Sequence, residues 1–172
     1  MSARAIYTFL LPLLLVMSPA VLSAQETKKD SGKEKIGQIR ATIYYGTNDA
    51  VPELGNNAKP LPDSQVKRLQ AIETTKFKNY RMLGQDAQSV LRSYENWVSP
   101  LKPSEEIMLS FESRGRSDNG GLRLDLELWQ HKRKVMKSDP VLFKGRPLLI
   151  LGPKWRGGRL IISIELIKLT SP

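Results

Sequence analysis

Between Gly121 and Trp129 the chain alternates without a break. Leu122, Leu124, Leu126 and Leu128 recur at every second position, with Arg123, Asp125 and Glu127 between them. Successive side chains of a β-strand point to opposite faces, so this pattern makes one apolar face and one charged face. Such a strand is half buried, and sheets with one wet face are antiparallel.

The same period recurs elsewhere. From Ile36, residues Ile39, Ala41, Ile43 and Tyr45 share one face, with Arg40, Thr42 and Tyr44 on the other. Further strands are expected at Asn79–Leu83, Gln88–Tyr94, Glu106–Ser113, Lys134–Lys137 with Pro140–Phe143, Leu148–Leu151 and Leu160–Leu169. Turn residues separate them at His131–Arg133, Lys144–Pro147 and Gly152–Gly158. One helix is expected. Asp63 or Ser64 caps its first turn, Val66, Leu69 and Ile72 form its apolar stripe, and β-branched Thr74 and Thr75 end it. No repeat of 20–50 residues is present. The expected fold is mainly β, an antiparallel β-sandwich or partly closed barrel with one short amphipathic helix.

The first 24 residues read as a secretory signal peptide: Arg4, then the apolar run Phe9 to Met17, then small residues ending at Ala24. Cleavage after Ala24 is expected, with Ala20 as the alternative. Pro12 and Pro19 interrupt a run already short for a membrane span. No cysteine follows to carry a lipid, and no later segment is apolar enough to span a bilayer. Residues 25–35 (QETKKDSGKEK) lack a large apolar residue and read as a disordered leader, with a single domain from 36 to 172. Export without a cysteine fits a bacterial periplasmic or secreted protein.

The chain carries 27 Lys plus Arg against 17 Asp plus Glu. The excess is local, because residues 130–159 hold nine basic side chains and one acid. In a meander, the loops at 131–134 and 153–159 fall at the same end, and Lys144 and Arg146 fall at the other. That shared end gathers Lys132, Arg133, Lys134, Lys154, Arg156 and Arg159 around Trp155. It is the expected site for an anionic polymer or an envelope protein, although basic loops are also common as plain solvated surface. Nucleic acid fits less well, because the chain is exported and aromatic residues for base stacking are sparse.

Other chemistry is thinly represented. No cysteine and one histidine exclude thiolate sites and multi-histidine metal sites, and no cofactor is expected. His131 reads as a turn residue with no evident partner. Glu105-Glu106 and Asp125/Glu127 are carboxylate pairs, but glycosidase-type work needs two carboxylates across a cleft, so a hydrolase is the least favoured reading. Nucleophile-elbow, P-loop and dinucleotide motifs are absent, and Asp118-Asn119-Gly120 reads as a turn rather than a calcium loop.

Three stretches carry a resemblance: PVLFKGRPLLILGPKWRGGRLIISIEL at the C-terminus, IRATIYYGTN, and VKRLQAIETTKFKNYRMLG. Together they resemble a family of small uncharacterised exported proteins of Gram-negative bacteria, over roughly Ile39 to Leu169. The resemblance implies an envelope setting and a β-rich fold, and it carries over no catalytic residues. A non-enzymatic binding or interaction module is therefore expected. The alternative is an accessory subunit of an envelope assembly that docks by an edge strand.

Overall fold

A computed structural model describes residues 30–170. The expected signal peptide lies outside the described residues, as does the leader up to Lys29. The described residues form two antiparallel sheets packed as a sandwich, with one α-helix and no closed barrel among them. In order these are β1 (Lys35–Thr47), α1 (Asp63–Gln70), β2 (Asn79–Leu91), β3 (Asn96–Val98), β4 (Ile107–Arg116), β5 (Leu122–Gln130), β6 (Arg133–Ser138), β7 (Val141–Leu142), β8 (Leu148–Trp155) and β9 (Gly158–Leu169). The first sheet runs β2-β1-β9-β8. The second runs β3-β4-β5-β6, with β7 paired to the start of β5.

The alternation places the core. Ile39, Ala41, Ile43 and Tyr45 of β1 and Leu160, Ile162, Ile164 and Leu166 of β9 face Ile107, Leu109 and Phe111 of β4 and the four leucines of β5. All are essentially inaccessible to solvent, and each of the leucine, isoleucine and phenylalanine side chains contributes about 1.5–3 kcal/mol of burial. A second, smaller cluster lies on the outside of the first sheet, where Leu69 and Val66 of α1 cover Tyr44, Tyr80 and Ile161.

Several expectations change. Neither Asp63 nor Ser64 caps α1. Pro62 occupies the cap position without a side-chain bond, and Asp63 sits inside the first turn at the positive end of the helix. The helix stops earlier than its stripe suggested, and Ile72 is exposed. The Thr75 hydroxyl donates to the carbonyl of Leu69 at 2.7 Å, taking an acceptor that another turn would have used. Asn79–Leu83 and Gln88–Tyr94 are parts of one strand that runs through Gly84 and ends at Leu91. The carbonyl of Pro100 lies 2.2 Å from where a Cβ on Gly84 would sit, so only glycine fits there. Strand β3 was not expected. Finally, the end of the expected leader is folded. Asp30 accepts from the Tyr94 hydroxyl at 2.7 Å, Glu34 pairs with Arg92, and Lys35 starts β1.

Candidate anion-binding end of the sandwich

Two tight hairpins build one end of the molecule. In the first sheet, Trp155 pairs with Gly158, leaving Arg156-Gly157 as a two-residue turn with φ of 44° and 78°. In the second, Gln130 pairs with Arg133, leaving His131-Lys132 with φ of 48° and 61°. Positive φ at both turn residues is the geometry that matches the twist of a hairpin. Strand β8 runs further than Leu148–Leu151. Its register shifts between Leu151 and Lys154, at Gly152-Pro153, because proline has no N–H to continue the ladder.

Trp155 and Glu106 lock the two hairpins together. The Trp155 indole meets the Tyr45 ring edge-on at 6.0 Å, and its Nε1 donates to Glu106 Oε1 at 3.1 Å. The same carboxylate oxygen lies 3.3 Å from His131 Nε2, and the His131 backbone N–H donates to the Glu106 carbonyl at 2.9 Å. Glu106 therefore ties a β8–β9 side chain to the β5–β6 turn. The Tyr45 hydroxyl donates to the Arg156 carbonyl at 3.0 Å. The Arg156 guanidinium lies 4.6 Å from the centre of the Trp155 ring, within cation–π range.

The consequence is a charged rim. Lys132, Arg133, Lys154, Arg156 and Arg159 reach the same end from two sheets rather than from one meander. Among the described residues none of these five is in a salt bridge, although Arg159 Nε donates to the Gly152 carbonyl at 3.0 Å. Lys134 is different. Its Nζ lies 2.9 Å from Glu127 and 5.7 Å from the Trp129 ring, so it points to the outer face of the second sheet. Lys144 and Arg146 sit apart from this end. Lys144 bridges to Leu166 and Arg146 lies over Phe143. Beside the β8–β9 turn is an open groove of about 610 Å³, bordered by Asn48, Asp49, Phe77, Arg156 and Arg159. A smaller hollow on the other side, about 210 Å³, is bordered by Leu54, Leu101, Glu106 and Trp155.

The Asp125/Glu127 pair is placed differently from an acid–base dyad. Asp125 lies 2.8 Å from Lys137 and 3.0 Å from Arg114, and these hydrogen bonds hold its carboxyl below the usual range. Lys134 does the same to Glu127. A general acid needs the opposite shift. The Asp118-Asn119-Gly120 segment closes the β4–β5 hairpin, with Gly120 at φ 81°. Among the described residues no group of three or more acidic or histidine side chains converges as a metal site, and no helix is long and apolar enough to cross a membrane.

Sequence reasoning missed Glu106 and Tyr45, and it found no partner for His131. Glu106 had appeared only as half of a carboxylate pair at a strand entry. Its contacts cross between sheets, so no local spacing announces them. No family model, curated protein or solved structure matches this chain.

Proposed function

We propose that this protein is an exported, non-enzymatic binding module whose basic end takes an anionic polymer. The observation that carries the reading is the Glu106 clamp. It fixes two hairpins so that five cations without carboxylate partners project from one end beside an open groove. Positive charge held in a fixed array raises both the rate and the strength of polyanion capture, and salt screens it.

The test is binding to dextran sulfate across a range of salt. Affinity should fall steeply as salt rises. Arg156→Glu with Arg159→Glu should weaken binding at least about tenfold, since charge-assisted contacts are worth up to about 1.5–3 kcal/mol each. Lys144→Glu with Arg146→Glu, away from this end, should leave it nearly unchanged. Equal losses from the two double variants would overturn the site.

A second reading is docking by an edge strand within an envelope assembly. It is favoured by β8, which among the described residues is bonded only to β9 and carries half-buried Leu148, Leu149, Ile150 and Leu151. A free apolar edge is a template for another strand. Capture of an envelope protein that survives high salt, and is lost on Ile150→Lys, would favour this reading over the polyanion.

A further inference from the structure

Among the described residues the sheet edges are β2 and β8 in the first sheet and β3, β6 and β7 in the second. An open edge is a template for another strand, and folded proteins guard it with charge, shortness or a covering segment. All but β8 are guarded in one of these ways. Along β2, Lys59 exchanges both backbone bonds with Met82, at 2.9 and 2.8 Å, and the Asp86 carboxylate accepts from the N–H of Ala87 at 2.9 Å. Strands β3 and β7 have three and two residues. Strand β6 carries Arg133, Lys134 and Lys137 among its six residues.

Between Pro147 and Pro153, β8 reads PLLILGP, with no charge. Leu148 and Ile150 pack on the main core, Leu149 and Leu151 pack on the cluster under α1, and all four stay half-buried. A strand apolar on both faces has the composition of an interior strand, yet β8 sits at an edge. An added strand would extend both apolar clusters by one row. The two prolines cannot donate to it, so pairing is confined to about five residues. Charge then says which strand fits. Lys144 and Arg146 precede the segment, and Lys154 and Arg156 follow it. All four are exposed and in no salt bridge among the described residues. A second copy of this chain is the poorer fit. Paired antiparallel about Ile150, it would set Arg146 of each copy opposite Lys154 of the other, and like charges directly opposite destabilise a pair. A strand with acidic residues at both ends has the complementary pattern.

We infer that the β8 edge takes an extended segment of a partner protein, about five apolar or β-branched residues flanked by acidic residues at each end. The inference rests on the second reading above, that this edge docks a strand, and adds the chemistry of that strand. Backbone hydrogen bonds and the two apolar faces hold its middle, and the four cations hold its ends. Lys144 and Arg146 stand apart from the basic end, so strand docking and polyanion capture can be separated by substitution.

Fluorescence anisotropy at about 150 mM salt, where long-range attraction is screened, tests it with three labelled peptides: EETVIVTEE, KKTVIVTKK and EETVPVTEE. The first should bind. The second reverses the flanking charge and the third removes a central N–H, and each should bind at least about tenfold more weakly. Lys144→Glu with Arg146→Glu should weaken EETVIVTEE at least about tenfold and strengthen KKTVIVTKK, while dextran sulfate binding stays nearly unchanged. Ile150→Lys should abolish binding of EETVIVTEE; if that variant melts early, the proline peptide decides the backbone arm. Equal binding of the glutamate- and lysine-flanked peptides, or indifference to Lys144→Glu with Arg146→Glu, overturns the acidic strand and leaves edge docking standing. Sedimentation of the chain as a dimer that Ile150→Lys dissociates gives the edge to a second copy and also overturns the acidic strand. Edge docking falls with it if none of the peptides binds up to about 1 mM, if EETVPVTEE matches EETVIVTEE, or if a folded Ile150→Lys variant binds like the wild type.

Discussion

His131, Lys132 and Arg156 all hold positive φ without being glycine. An L-residue pays about 1–2 kcal/mol for that conformation, and Asn-Gly is the pair that two-residue turns of this kind favour. His131→Asn with Lys132→Gly should therefore raise stability by about 1 kcal/mol, seen as a rise of a few degrees in thermal denaturation. A fall instead would mean that the His131–Glu106 contact outweighs the backbone strain. The same swap removes one cation from the rim, which gives a reason for the chain to keep a strained turn where charge is wanted. Gly158 is the opposite case. A Cβ there would lie 2.5 Å from the Tyr45 ring and 2.6 Å from the Gly46 carbonyl. Gly158→Ala should cost about 1–3 kcal/mol, as overpacking does, and lower the urea midpoint without changing its slope.

At the scale of elements, the outer face of the second sheet is a ladder of alternating charge across β4, β5 and β6. Arg114, Asp125, Lys137, Glu127 and Lys134 follow one another through direct contacts. Asp125 and Glu127 both titrate below their ordinary values because of these partners. A carboxylate whose folded value is depressed stabilises the fold above its unfolded value, near 4, and loses that contribution as pH falls through the folded value. Stability should therefore drop as pH falls below about 4. Asp125→Asn with Glu127→Gln should flatten that limb in urea titrations taken at successive pH values. An unchanged limb would place the acid sensitivity elsewhere, with Asp86 beside Lys102 the next carboxylate to test. Elements with one buried face were legible in the sequence, since burial writes a period of two into β5 and much of β1. Strand β3 has three residues, too few to show a period. Continuity of β2 through Gly84 depends on the approach of Pro100 from 16 positions away, which local polarity reads as a break. The basic hairpin of the candidate site was visible as charge. The diversion of Lys134 to Glu127, and the clamp at Glu106, depend on pairings between strands that the local pattern does not contain.

For the whole molecule, the decisive pairing joins the two ends of the described chain. Strand β9 lies between β1 and β8, and Gly37 pairs with Leu169. It supplies Leu160, Ile162, Ile164 and Leu166 to the main core and Ile161 to the cluster under α1, so both apolar clusters depend on the last strand. Without it, β1 and β8 have no strand between them, and the main core loses Leu160, Ile162, Ile164 and Leu166. Because this pairing spans more than a hundred residues, its loop-closure entropy must be met before most of the core is gained. Sandwiches dominated by such non-local pairs fold in milliseconds to seconds rather than microseconds. Two outcomes follow from the one topology. A chain truncated after Gly157 should show no cooperative unfolding transition and should bind a hydrophobic dye. The chain ending at Pro172 should unfold in a single transition and refold in stopped-flow on the slower timescale. A truncated chain that still melts cooperatively would show that β1–β2 and the second sheet form a stable unit without β9, and the first sheet would then be assembled onto a preformed half rather than with it.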